Sequence, residues 1–326
     1  MTTLQVARVT RPLREVFAIS RGSKTVAETV MVTLANGSAV GRGECTPYAR
    51  YGESVNNVIE QIEAQRKALE SGIDRPELNE HMPAGAARNA IDCALWDLEA
   101  KMAGRPVYDL AGLPPPKPVL TAYTLSVASP DAMAAAARKA SDRPLLKLKA
   151  GGEGDLERVK AVREAVPDTR LIVDANEAWS PDTVQERLAA LAKLGVEMVE
   201  QPLPAGDDVS LTNIDSPICL CADESFHDRS SLAAVADRYA MVNIKLDKTG
   251  GLTEALAAIR AARQHNLKIM VGCMVAGSLA MAPAMLAAQG AEIVDLDGPL
   301  LLAEDDAVPL TYSGSLVQPP EPPLWG

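Results

Sequence analysis

Leu145-Leu146-Lys147-Leu148-Lys149 is a short apolar run carrying two lysines two positions apart. Side chains alternate along a strand, so Lys147 and Lys149 share one face and Leu148 takes the other. Two lysines on the inner face of a strand are costly unless something pairs with them. Seven further runs surround this one: Val119–Thr124 before it, and Leu171–Asp174, Met198–Glu200, Ile218–Asp223, Met241–Lys245, Lys268–Cys273 and Ile293–Asp297 after it. The eight runs end at 124, 149, 174, 200, 223, 245, 273 and 297, each followed by a helix-like segment. That step suits one strand plus one helix. Eight parallel strands with crossover helices close into a TIM-type (β/α)8 barrel, an α/β fold.

Ahead of the barrel the pattern is α+β. Leu4–Thr10 reads as a strand, and Thr29–Leu34 and Ala39–Glu44 read as two strands around the turn signal Asn36-Gly37. Helical stretches follow over Ser54–Ser71 and Ala87–Ala103, the second stopping at Gly104-Arg105-Pro106. Gly112-Leu113-Pro114-Pro115-Pro116-Lys117-Pro118 marks a boundary. The expected layout is an N-terminal α+β capping domain over 1–112, a barrel over 119–300, and a segment over 301–326 that returns to the capping domain rather than adding a ninth strand.

The 326 residues are 47% hydrophobic and 23% charged, with a net charge of −11. The acidic balance argues against a nucleic-acid partner, because phosphate contacts need clustered Lys and Arg. The N-terminus has no apolar core behind a basic start, and the five cysteines lack a C-x-x-C spacing. A cytoplasmic protein with reduced thiols is expected. Residues 269–291 carry no charge, which is long enough for a bilayer, but Gly272, Gly277, Pro283 and Gly290 interrupt them. A buried strand and a buried helix are expected there, with no membrane partner.

The polar residues that could do chemistry sit at strand ends: Lys147 and Lys149, Asp174, Glu200, Asp223, Lys245, and Asp295 with Asp297. Barrel enzymes place their sites at this C-terminal face. Any one acid here is most simply a cap for the following helix. Asp174, Glu200 and Asp223 on three consecutive strands would repel one another unless a cation sits among them. All-oxygen ligands suit Mg²⁺, and none of the three histidines falls at a strand end. Lys149 and Lys245 would flank the ion. Each could be a permanent ion pair, but an opposed pair of lysines can act as bases once a cation lowers their pKa. Lys248 competes with Lys245 and ranks second, because a continued strand would turn it to the other face.

Leu146-Lys147-Leu148-Lys149, Val173-Asp174-Ala175-Asn176, Val199-Glu200-Gln201-Pro202, Ala222-Asp223-Glu224-Ser225 and Asn243-Ile244-Lys245-Leu246 together resemble the muconate-lactonizing subgroup of the enolase superfamily. The resemblance covers essentially the whole chain and implies the modified, enolase-like barrel. Within the subgroup the Asp295-x-Asp297 pair looks like that of dipeptide epimerases, where it grips the substrate ammonium. Thr124 matches a substrate-contacting position. The capping-domain loop that closes over substrate in that family falls here at Ile19-Ser20-Arg21-Gly22-Ser23-Lys24. Arg21 is the first candidate to pair with a substrate side-chain carboxylate, because a guanidinium binds one as a fork, and Lys24 is its rival. Met274-Val275-Ala276-Gly277-Ser278 lacks the acid that many relatives carry after strand seven.

The implied activity is epimerisation of a small dipeptide, L-Ala-D/L-Glu, an isomerase reaction with Mg²⁺ as cofactor. Lys149 and Lys245 exchange the α-proton of the C-terminal residue, and Lys147 helps hold its carboxylate. A place in murein peptide metabolism follows; assembly into a homo-oligomer stays open. Two other activities remain open: a cycloisomerase or o-succinylbenzoate synthase-like lyase on the same fold, and a non-catalytic peptide-binding barrel.

Overall fold

The structure, a computed structural model, describes residues 2–326. It opens with an antiparallel sheet of β1 (Thr3–Ile19), β2 (Gly22–Asn36) and β3 (Ala39–Cys45). Asn36 pairs with Ala39 across the Asn-Gly turn, where Gly37 takes φ +60°. β1 runs well past the expected Thr10. Its ladder with β2 shifts register between Pro12 and Phe17, then continues to a tip at Ser20-Arg21. Pairing with β2, rather than an apolar alternation, extends the strand, so sequence periodicity could not show it.

α1 (Val55–Ala64), α2 (Arg66–Ser71), α3 (Arg75–His81), α4 (Ala86–Ala103) and α5 (Val107–Leu110) follow. The single helix expected over 54–71 is broken at Gln65, which ends α1 and begins α2. α4 packs flat on β3 because β3 has no side chains in the way. A Cβ on Gly41 or Gly43 would lie 2.2 Å from a carbonyl oxygen of α4. The other side of α4 faces the barrel, so its polar Asn89, Asp92 and Asp97 are buried and partnered.

The expected run 119–124 is divided. β4 (Val119–Leu120) leaves the barrel, and β5 (Tyr123–Leu125) is the first barrel strand. After α6 (Pro130–Lys139) come β6 (Leu145–Lys149), α7 (Asp155–Ala165), β7 (Arg170–Asp174), α8 (Pro181–Lys193), β8 (Val196–Glu200) and β9 (Cys219–Ala222). Then follow α9 (Leu232–Val235), β10 (Met241–Ile244), α10 (Leu246–Thr249), α11 (Leu252–Gln264), β11 (Lys268–Gly272), α12 (Ser278–Ala287) and β12 (Ile293–Asp295). β5 to β12 form one parallel sheet in sequence order, and the Ala122 N–H donates to Val294 O at 2.8 Å, closing the ring. This is the expected TIM-type barrel with an α+β sheet layer beside it. One step departs from strand-plus-helix: between β8 and β9 a 3₁₀ turn, Val209–Asn213, replaces the helix.

The tail forms β13 (Tyr312–Ser313) and β14 (Leu316–Val317), which pair with β4 in a separate small sheet. It ends against α4, where Trp325 donates its indole N–H to Cys93 O at 3.0 Å and the Gly326 N–H reaches Asp97 at 2.7 Å. Among the described residues no helix is long and apolar enough to cross a membrane. The uncharged stretch resolves into β11 and α12, both buried.

Alternation along the strands decides where everything sits. Ala122, Leu145, Ile172, Met198, Cys221, Met241, Met270 and Ile293 fill the floor of the ring, while Leu146, Leu148, Val173, Val199 and Leu220 pack outward against the helices. The inner positions one and two steps above the floor carry the polar residues.

Candidate active site

Lys147 and Lys149 point into the ring from β6, as the alternation requires. Lys147, 1% exposed, places Nζ 2.7 Å from Glu200 Oε2, 2.7 Å from Asp295 Oδ2 and 3.3 Å from Asp174 Oδ2. Burial alone would lower its pKa, but these three carboxylates outweigh burial and hold it well above the usual lysine value. Lys149 Nζ lies 2.6 Å from Asp174 Oδ2. On the far side, Lys245 Nζ lies 2.7 Å from Asp223 Oδ2 and 4.0 Å from Glu200 Oε1.

The three acids occupy neighbouring strands in register. Lys149 pairs with Asp174, Asp174 with Glu200, and Glu200 with Cys221, two residues before Asp223. All three are buried. Burial, then repulsion from Asp174 and Asp223, pushes the Glu200 carboxyl above its usual range. Asp174, pulled to about 2, and Asp223, well below its usual value, overcome burial through their lysine partners. Among the described residues no three His, Cys, Asp or Glu side chains stand grouped closely enough to hold a metal ion as they are. Amines lie between the acids instead.

Backbone conformation just past the strands is unusual. Asn176 (φ 44°), Glu177 (φ 66°) and Gln201 (φ 35°) are non-glycine residues in the left-handed region, directly after β7 and β8. Such strain persists only where surrounding contacts fix it, and it gathers at functional sites. Here it turns the Asn176 carbonyl toward the hairpin tip, where the Ser20 hydroxyl (2.9 Å) and Arg21 Nη1 (2.8 Å) both donate to it.

Arg21 makes further bonds to Glu177 (3.0 Å), Tyr48 (2.8 Å) and Glu224 (2.7 Å), so its guanidinium is spent on the protein. Lys24, on the same hairpin, is half-buried and has no carboxylate within 4.0 Å among the described residues. Burial, then the Lys149 charge, lowers its pKa. Lys24 and Lys149 both line a cavity of about 510 Å³ with Lys245, Asp223, Glu224, Asn176 and Cys273.

Asp295 and Asp297, at the end of β12, are buried. Asp297 Oδ2 accepts the Thr124 N–H at 2.6 Å, which brings two predicted residues together. Burial and the Asp295 charge push Asp297 up to about 7.

Two further residues, Lys248 and Asn243, join the site. Lys248 does not turn away from the site, because the chain leaves strand geometry after Ile244 and starts α10. Its Nζ donates to Asp223 Oδ1 at 2.6 Å and to Asn243 O at 3.1 Å, fixing the oxygen that Lys245 does not hold. Asn243 donates to Glu200 Oε1 at 2.7 Å. Its position was legible, since it shares the period-two face with Lys245.

A capped (β/α)8 barrel whose consecutive inner strand ends carry three acids flanked by an amine on either side is the architecture of the enolase superfamily. Residues 1–112 match the mandelate racemase / muconate lactonizing enzyme N-terminal domain, and residues 132–323 match the enolase C-terminal domain-like family. The chain belongs to the mandelate racemase / muconate lactonizing enzyme family of that superfamily. It is similar to the L-Ala-D/L-Glu epimerase of Escherichia coli K12, 48% identical over 94% of this chain and 96% of that one. It is also similar to an N-acetyl-D-glutamate racemase of a Pseudoalteromonas species, 44% identical over 91% and 95%. A solved enolase family member from Agrobacterium tumefaciens, with bound sodium and L-Ala-L-Glu, superposes with a TM-score of 0.98 at 50% identity, covering all of both chains.

Proposed function

We propose that this chain is an isomerase, a dipeptide epimerase acting on L-Ala-D/L-Glu with Mg²⁺ as cofactor. One observation carries the reading: Asp174, Glu200 and Asp223 lie on strands between Lys149 and Lys245, with each lysine bonded to an outer acid. An α-carbon held above the acids would present its two faces to the two amines.

Asp174, Glu200 and Asp223 would hold the Mg²⁺. The donor set fits: three buried carboxylates on neighbouring strands, all oxygen. When bound, the ion stabilises the negative charge that develops on the substrate carboxylate as the α-proton leaves. Lys245 is held well above its usual pKa by Asp223 and Glu200, against burial. A lysine is a base only when neutral, and a cation held by these acids would lower the pKa of Lys245 toward that form. Lys149 or Lys245 then takes the α-proton from one face and the other lysine returns one to the opposite face. Lys147 supplies a fixed positive charge beside the acids and holds the substrate carboxylate. Asp295 and Asp297 take the substrate ammonium, with Thr124 holding Asp297 in place.

For the side chain of the C-terminal residue, Lys24 rather than Arg21 is the reader, because Lys24 is the cation in the cavity without an anionic partner. The same reading places the protein in the cytoplasm, in turnover of murein-derived peptides, and the five free cysteines support a reducing compartment.

The test is ¹H NMR of L-Ala-L-Glu with protein and Mg²⁺ in D₂O. Loss of the Glu α-proton with appearance of the L,D epimer is expected, falling by at least about a thousand-fold in Lys149→Ala and Lys245→Ala. No exchange would overturn the activity. Unchanged exchange in either variant would overturn that lysine's role. The relative that racemises N-acetyl-D-glutamate favours a second reading, tested by substituting N-acetyl-L-glutamate in the same tube.

A further inference from the structure

Two cavities at the mouth of the barrel share one lining residue. One is the catalytic cavity of about 510 Å³. The other, about 780 Å³, lies between the β1 stem, α6 and the loop after β5. Phe17 lines both. Its ring centroid stands 5.9 Å from Lys149 Nζ and 5.9 Å from Lys24 Nζ. The ring belongs to β1 just past the register shift, where Phe17 pairs with Lys24 of β2, and packs beside Leu13, Ala27, Val275 and Leu302.

We infer that Phe17 is a specificity-determining residue that limits the width of the C-terminal substrate side chain. The inference rests on the function proposed above, in which Lys149 works at the α-carbon and Lys24 reads the far end of the side chain. A ring equally distant from both amines flanks the path between them. It leaves room for an unbranched side chain such as that of glutamate and blocks an aromatic one. Besides that cluster the ring borders the larger cleft, whose lining includes Leu125, Met133 and Ala136. Truncating Phe17 therefore joins two existing volumes rather than opening a void that the core would collapse to fill. An aromatic side chain entering the joined space meets the apolar part of a mixed lining, Leu125, Met133 and Ala136, which favours its burial there.

The experiment measures kcat/KM for L-Ala-L-Glu and for L-Ala-L-Tyr in wild type, Phe17→Leu, Phe17→Ala and the double variant Phe17→Ala/Ala136→Phe. The ratio favouring L-Ala-L-Glu falls by at least about ten-fold in Phe17→Ala, less in Phe17→Leu, and recovers in the double variant, where a new ring fills the cleft from α6. Ala136→Phe alone leaves L-Ala-L-Glu turnover unchanged. If both substrates change in parallel, or the ratio stays put while wild type turns over L-Ala-L-Glu, Phe17 is not the partition. If wild type fails on L-Ala-L-Glu itself, the proposed function falls and this inference with it. Should Phe17→Ala not fold, Phe17→Leu against wild type decides the matter alone.

Discussion

Arg21 Nη2 lies 2.7 Å from Glu224 Oε1, joining the tip of the β1–β2 hairpin to the residue beside Asp223, 203 positions along the chain. The same guanidinium holds the Asn176 carbonyl and Glu177 after β7, and Arg50 grips Glu177 through both its oxygens. The hairpin is thus fastened to the loops that follow two of the three acids. Burial and Asp223 raise Glu224 to about 7, and the Arg21 charge opposes them.

Arg21→Ala frees the hairpin tip without emptying the core, since Arg21 is exposed. The expected result is a rise in KM for L-Ala-L-Glu of about ten-fold or more, with a smaller change in kcat, because Lys24 loses its fixed place while the lysine pair is untouched. Arg21→Lys recovers only part, having no fork to reach two acids at once. Steady-state kinetics on the three proteins checks this; an unchanged KM would mean the fastening is idle.

The acids offer a metal-dependent readout that needs no turnover. Glu200 sits between two other buried carboxylates and is pushed up by them. A cation binding the folded protein and not the unfolded one raises its melting temperature by mass action. Millimolar Mg²⁺ should therefore raise the Tm of wild type, and EDTA should reverse the gain. Glu200→Gln should abolish the response, because one of three anionic ligands is gone. Calorimetry with and without Mg²⁺ decides it.

The sequence exposed the strands of the barrel because their alternation and spacing are set locally, by the pleat and by helix length. Lys147, Lys149, Asp174, Glu200 and Asp223 could be found because charges on consecutive strand ends outweigh the bland reading, a helix cap or an ion pair, that any one of them allows. What stayed hidden depends on pairing between distant segments. The reach of β1 to Ile19 comes from its ladder with β2. The engagement of Arg21 comes from left-handed turns at Asn176 and Glu177, which non-glycine residues give no reason to expect. The placement of Lys248 differs for a geometric reason: the helical turn that begins at Leu246 brings back toward Asp223 a side chain that a continued strand would have turned away.

Asp247 predicts a pH dependence of stability. Its Oδ1 accepts the Thr46 N–H (2.9 Å) and the Asn89 amide (2.8 Å), tying α10 to the sheet layer and to α4. Burial raises its pKa from 3.8 to about 7. The folded state therefore binds this proton more tightly than the unfolded chain does. The cost of ionising it is fully present above pH 7, shrinks as pH falls toward 3.8, and is absent below that. At pH 8 it is on the order of 4 kcal/mol as an upper bound. Asp247→Asn keeps the acceptor and cannot ionise. Its Tm should exceed that of wild type at pH 8, and the gap should close by pH 4 to 5. A gap that is constant with pH would show that Asp247 is not titrating where its burial implies.

Asp297 separates the two substrates that the relatives suggest. Burial and the neighbouring Asp295 push it up to about 7, so near neutrality it is only partly ionised. A dipeptide ammonium pairs with the ionised form, which means kcat/KM for L-Ala-L-Glu should climb as pH passes upward through about 7. N-acetylglutamate carries no ammonium and gains nothing from the charge. Asp297→Asn can still accept the Thr124 N–H through its amide oxygen, so the wall keeps its shape while the charge is lost. The variant should lose about a hundred-fold in kcat/KM for the dipeptide, with its rise near pH 7 gone, and should treat N-acetylglutamate no worse than wild type does. An equal loss on both substrates would mean that Asp297 supports the barrel wall rather than reading the ammonium. The pH–rate profiles of the two proteins on the two substrates give the answer directly.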